Sequence, residues 1–377
     1  MEYTLSGTII YGDEFECVKG YVVIKDGVIH EVGKGRVDSV ERGIILPAFV
    51  NAHTHIGDSV VKDPDTSQMT LEEIVGPGGL KHRILEGTAY DELVKSMKSA
   101  LKDMISCGIV NFADFREGGV KGTDALRDAA ADLPIGVNIF GRQLPSEKSS
   151  MEELLDKVDG LGISSVCELE SEVLLELVGC SRKRGRQIAV HAGERDRSDI
   201  KGAIQLKPDH IVHLTKASTK DLKLVATEDI PVVVCLRSNL ITGVGRPPIK
   251  EMLDEEITVA VGTDNVMLNS PNIFSECEFI SKIYSIDDRK VLKMCTLNGA
   301  KVLKRDGEIG SISEGKVADL IVINDRSNNM VNVRCPISGI VRRARPGDIK
   351  ATVYEGNFVV NNGGLEWKSN SKSGMLW

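Results

Sequence analysis

The sequence predicts an α/β chain: a (β/α)8 TIM-type barrel with a small discontinuous β-sandwich domain formed by both termini. Three observations predict it. Eight apolar, β-branched runs alternate with helical stretches through the middle of the chain, as expected for parallel strands buried on both faces. Both ends read instead as short alternating strands around turn signals such as Asp26-Gly27. Histidine and acidic side chains fall at the ends of the apolar runs, where a barrel of this kind keeps its chemistry.

TLSGTIIYGDEF and GYVVIKDGVIHEVG open the chain, and the same texture returns in GSISEGKVADLIVIND and IKATVYEGNFVVNN. Neither end carries enough apolar surface to fold alone. Residues 1–45 and 308–377 are therefore expected to pair as one domain, and 46–307 to form the barrel. Its strands are expected at 44–53, 108–115, 134–141, 161–166, 187–192, 210–214, 231–236 and 258–263, with helices such as 91–106, 171–185 and 219–229 between them. A doubly wound sheet shares this alternation, but no GxGxxG follows a strand. The polar tail at 368–374 is expected to fray.

Composition narrows the partners. The 377 residues carry 47 Lys+Arg against 55 Asp+Glu, a net charge of −8. With no basic run, nucleic acid is an unsuitable partner. No apolar stretch reaches the roughly 18 to 20 residues of a membrane span, and the first residues lack the features of a signal peptide. The eight cysteines stand singly, without CxxC spacing, so a reduced cytoplasmic setting is expected. A small-molecule substrate is the expected partner, and a homo-oligomer remains compatible with the sequence.

The strand ends hold the candidate site. His53 and His55 lie two apart at the end of the first run, so both rings face one side, into the barrel mouth. Two imidazoles there form a natural clamp for a divalent metal. His191 ends the fifth run, His213 the sixth, and Asp264 follows the eighth. Each alone would pass for a core histidine or a helix cap. Their joint placement would not, because packing has no reason to put polar groups at that end of four strands. Glu194 follows His191 across a glycine and is placed to pass a proton from a metal-activated water to a leaving nitrogen.

HTH (53–55), HAGE (191–194), VHL (212–214) and GTDN (262–265) together resemble the amidohydrolase superfamily. The resemblance extends through ILPAFVNAHTH, through Ser238-Asn239 after the seventh run, and through LNGAKVLKRDGEIGSISEGKVADLIVIN, nearly the whole chain. It is strongest to the mononuclear deaminase and chlorohydrolase branch, which includes cytosine, guanine and S-adenosylhomocysteine deaminases. It implies one divalent ion, Zn²⁺ first with Fe²⁺ or Mn²⁺ as alternatives, held by His53, His55, His191 and Asp264. It implies Glu194 as proton shuttle, with His213 and Asp264 sharing the catalysis. Two-metal relatives carry a bridging lysine at the end of strand four. That run here, LGISSVCE, has none, and Lys157 precedes it.

Substrate contacts are expected from Ser238, Asn239 and His82, the last within the glycine-rich GPGGLKHRIL expected to fold over the mouth. Arg116, Arg142 and Arg237 stand at the ends of runs two, three and seven. They either clamp a carboxylate or phosphate on an anionic substrate or pair locally with residues such as Glu117. His30 and His210 lie away from the chemistry. The leading reading is hydrolytic deamination of an amino-substituted N-heterocycle. A cyclic-amide hydrolase of the imidazolonepropionase or hydantoinase kind is the alternative, and a non-catalytic ligand-binding barrel the third reading.

Overall fold

The computed structural model describes residues 1–142, 151–361 and 364–365. The tail at 368–374 lies outside the described residues. The chain is mixed α/β. One sheet is parallel and runs in chain order from Phe49–His55 to Val259–Val261. Its ninth strand, the short Asp264–Asn265, pairs back onto Phe49–His55, so the sheet curls round on itself. This is consistent with a TIM-type barrel.

Side-chain alternation shows why the runs are apolar throughout. Val50, Ala52, Ala113, Phe115, Ala189, Val212, Val233 and Ala260 form an interior cluster. Their neighbours Phe49, Phe112, Ile188, Val190, Ile211, Val232, Val234, Val259 and Val261 pack outward against the helices. A period of two puts both sets in apolar surroundings, and each fully buried Val or Ile contributes roughly 1.5–3 kcal/mol. The covering helices show the matching period. Tyr90–Ser106 buries Met97, Ala100, Leu101, Met104 and Ile105 along one face. Thr219–Thr227 begins at Ser218, whose side chain accepts from the Asp221 N–H in a capping box.

Both ends of the chain contribute to a second, eight-stranded sheet. Glu2–Tyr11 lies parallel to Glu41–Pro47, which pairs antiparallel with Leu320–Ile323. Ile44, Leu46, Ile321 and Ile323 face the barrel's helices. Ile45, Leu320 and Val322 face the other way, with Leu5, Ile9 and Val22. All described strands outside the barrel sheet belong to this one sheet.

Two local differences from the sequence expectation stand out. The run at 44–53 is two strands in two sheets, Glu41–Pro47 and Phe49–His55. Pro47 has no N–H to continue a ladder, and the chain crosses between sheets at Ala48, whose N–H donates to the Asp319 carbonyl. The C-terminal segment also contains a helix, Pro336–Arg343. It buries Ile337, Ile340 and Val341 against the barrel-side core, and Arg342 pairs with Asp288 at 2.7 Å.

Candidate active site

Three backbone features aim the site residues. In the first barrel strand, Asn51 pairs with Phe112 and Thr54 with Asp114, three steps against two. This extra residue is a bulge, which resets the alternation. Val50 and Ala52 face inward, and so do His53 and His55, whose rings lie 4.9 Å apart. In the sixth strand Val212 faces inward, so His213 should face out. Its φ of 78° turns the ring back toward His191, at 5.3 Å between centroids. Asp264 is likewise left-handed, at φ 61°. Such positions cost about 1–2 kcal/mol each. Gly262 supplies the third feature, because a Cβ there would lie 2.6 Å from the His53 Cβ. The eighth strand can pass so close to the first only without a side chain.

The expected ligand atoms converge. His53 Nε2 lies 3.2 Å from His191 Nε2 and 3.4 Å from Asp264 Oδ1. His55 Nε2 lies 3.6 Å from the same oxygen. Two groups, His53–His55–His191 and His53–His213–Asp264, each have donor atoms mutually within 4.8 Å. All of these residues are buried. Burial pushes His53 and His191 below the usual imidazole range, and His55 down to about 4. Burial alone would raise Asp264, but His53, His213 and His55 hold it well below the carboxylate range. Neutral imidazoles and an ionised carboxylate facing one point are the donor set a divalent cation requires, so the residues fit such an ion.

A second layer orients these groups. His55 Nδ1 meets Glu117 Oε1 at 2.8 Å, and His191 Nδ1 meets the Ile163 carbonyl at 3.3 Å. Either contact fixes a tautomer with Nε2 toward the cluster. Ser238 Oγ donates to Asp264 Oδ2 at 2.6 Å, and Asn265 Nδ2 to Asp264 Oδ1 at 3.0 Å. Asn239 Oδ1 lies 3.2 Å from His213 Nδ1, while its Nδ2 donates to Thr215. Burial would raise Glu117, but Lys81, His55 and Arg116 hold it well below its usual range.

Above the cluster opens a cavity of about 290 Å³, lined by His55, His191, His213 and Asp264 at its base and by Lys81, Arg142 and Glu194 on its walls. Glu194 Oε2 lies 3.7 Å from His213 Nε2. Burial, then the neighbouring Asp264, raises the Glu194 carboxyl, with His213 opposing. The glycine-rich segment does lie over the mouth: its Gly76, Pro77 and Lys81 line the cavity, beside Val75 just before it. It is helical from Leu80, in the helix Leu80–Gly87, and a short helix, Leu71–Val75, precedes it.

The expected substrate contacts largely fall elsewhere. Arg116 is 1% exposed and faces the barrel wall. It bonds Asp114 at 3.1 Å, Glu117 at 2.6 Å and the Met97 sulfur at 3.4 Å. Phe115 faces inward, so the next residue must face out. Arg237 sits in helix Leu236–Ile241 and bonds Glu276 at 2.8 Å and the Ser270 carbonyl at 2.5 Å. Neither lines the cavity. Arg142 does, 3.7 Å from both Glu117 and Glu168. Ser238 and Asn239 are fully buried behind Asp264 and His213, and His82 is not among the lining residues. Lys157 is remote, paired with Asp124 at 2.8 Å. His210 is buried near Phe140, at 5.1 Å between ring centroids. Lys81 and Asn265 were not singled out by the sequence, and Glu117 was named there only as a local partner for the arginines, the role it takes with Arg116. A lysine in a glycine-rich loop reads as solvated, and only Asn265, inside GTDN, carried a signal.

The Glu194 carboxyl and the buried imidazoles share one cavity at the barrel mouth, an arrangement suited to metal-assisted hydrolysis. The Amidohydrolase family model matches residues 44–359, and the chain belongs to that family. It is 34% identical over 386 residues to a putative aminohydrolase of Methanothermobacter thermautotrophicus, covering 94% of this chain and 98% of the relative. It is 25% identical over 408 residues to a 5-methylthioadenosine/S-adenosylhomocysteine deaminase of Pyrococcus furiosus, covering 95% and 94%. Among solved structures, an adenosine deaminase from Xanthomonas campestris with bound zinc superposes with a TM-score of 0.80 at 16% identity, covering 96% and 93%. No helix among the described residues is long and apolar enough to cross a membrane.

Proposed function

We propose that the chain is an aminohydrolase that replaces an exocyclic amino group of an N-heterocycle with oxygen and releases ammonia. The observation that carries this reading is the placement of Glu194 beside His213 on the cavity wall, directly over the His/Asp cluster. The names of the two relatives support it, and so does a carboxyl raised by burial above its ordinary range, which suits acid–base work. One Zn²⁺ is assigned to His53, His55, His191 and Asp264. Such an ion supplies Lewis acidity and eases the deprotonation of water. Glu194 takes the proton from the attacking water as the new C–O bond forms. It returns that proton to the leaving nitrogen as the C–N bond breaks. His213, held by Asn239, orients the groups at the reacting carbon. The barrel, expected over 46–307, carries this chemistry, and the described parts of 1–45 and 308–377 supply the companion sheet, which also takes in Leu46 and Pro47.

The test is ammonia release from a panel of amino-substituted purines, nucleosides, pterins and pyrimidines, with the adenosine-type compounds named for the relatives first. Zinc-loaded protein should release one ammonia per heterocycle consumed. A ring-opened product without ammonia, from cyclic amides tested in parallel, would overturn the reading in favour of a cyclic-amide hydrolase.

A further inference from the structure

Lys81 is an ammonium with almost no access to water, 3% exposed. Burying a cation costs several kcal/mol unless partners compensate, so its position implies a purpose for those partners. Its Nζ lies 2.5 Å from Glu117 Oε1 and donates to Asn265 Oδ1 at 3.3 Å. Each partner touches a different cluster residue. Glu117 Oε1 holds His55 Nδ1, on the first barrel strand. Asn265 Nδ2 donates to Asp264 Oδ1, on the last. Lys81 therefore closes a circuit that joins the two strands where the sheet meets itself.

The segment that delivers Lys81 has few other attachments. Ile74 forms a small satellite cluster with Met267 and Leu268, joined by Val61, Met69, Val75 and Ile84. The other described ion pair between this segment and the barrel loops is Glu72 with Arg195 at 3.4 Å, both well exposed, which is worth little. Segments with so few buried contacts open at low cost. Met267 and Leu268 lie just beyond Asp264-Asn265, so the satellite cluster and the circuit anchor on the same stretch of chain.

We propose that Lys81 is a positioning residue that couples the strap at 71–87 to the metal centre. By fixing Glu117 and Asn265 together it orients His55 and Asp264 for the cation. In return, a loaded centre holds the strap down over the cavity. The proposal rests on the metal reading above but not on the deamination reading, and its test uses zinc alone.

The experiment is competition of metal-free protein with a chromophoric chelator for Zn²⁺, together with amide hydrogen exchange of 71–87 with and without zinc. Lys81→Met should bind zinc about 10- to 100-fold more weakly than wild type, the range for lost outer-shell partners. Lys81→Arg, which keeps the cation, should lose less. Zinc should slow exchange across the strap in wild type and not in Lys81→Met. A merely structural role would lower the stability of the metal-free protein and leave zinc affinity unchanged. Equal zinc affinity in wild type and Lys81→Met overturns the proposal, as does a strap whose exchange ignores zinc in wild type. A wild-type protein that binds no zinc fails the metal reading and the proposal with it. Should Lys81→Met not fold, Lys81→Gln replaces it with the same expected direction.

Discussion

Arg116→Met separates a wall residue from a substrate clamp. The guanidinium is 1% exposed and sits between Asp114 at 3.1 Å and Glu117 at 2.6 Å. Methionine fills most of the volume beside Met97 but leaves both carboxylates without this partner. Glu117 keeps Lys81 and His55. Asp114 keeps only hydrogen bonds from the Thr54 hydroxyl and the Ile56 N–H, and burial already raises its carboxyl, with Arg116 the chief opposing charge. Removing one partner of a buried pair costs about 3–5 kcal/mol. Asp114 can recover part of that by taking a proton, so the lower end, about 3 kcal/mol, is expected. The assay is urea unfolding of metal-loaded protein, with the shift in midpoint multiplied by the measured slope, beside steady-state kinetics on the folded enzyme. Stability should fall by that amount while KM stays within a few-fold. A variant with wild-type stability and a KM raised 10-fold or more would refute this placement of Arg116.

Glu194→Gln should keep zinc and fold but lose on the order of 10²-fold or more in kcat, the scale of a lost general acid–base group, as read by ammonia release. Ser238→Ala removes the 2.6 Å bond to Asp264 and should weaken zinc binding about 10-fold in a chelator competition. Asp319, bonded by Asn111 at 2.7 Å and the Glu355 N–H at 2.8 Å, is pushed by burial up to about 6. The folded state holds this proton more tightly than the unfolded chain, so its contribution is intact below about pH 4 and lost as pH rises through 6. The stability margin of wild type over Asp319→Asn should therefore shrink by up to about 3 kcal/mol between pH 4 and pH 7 in paired urea titrations, and a constant margin would count against it.

Much of the site is legible because packing alone rarely gathers histidines at the same end of several strands. His53 and His55 share a face by their spacing alone, and the runs ending in His191, His213 and Asp264 give the remaining positions. The devices that aim them are not legible. The bulge between Asn51 and Thr54 and the left-handed backbone at His213 and Asp264 are tertiary outcomes with no local sequence signal. Two of the three arginines misled because strand ends were counted without their facing. Phe115 inward fixes Arg116 outward, and Arg237 is already on a helix turned toward Glu276. The division of 44–53 was written in Pro47, but the apolar run masked it. Lys81 was hidden by composition, since only the fold shows that its ammonium bridges Glu117 and Asn265.

A single divalent ion held by three imidazoles and a carboxylate in the barrel mouth underlies the proposed chemistry. Elemental analysis of purified protein against chain concentration, with Asp264→Ala beside wild type, tests it most directly. The expected result is close to one zinc or other divalent ion per wild-type chain and little in the variant. Two ions per wild-type chain, or an undiminished ion content in Asp264→Ala, would contradict it.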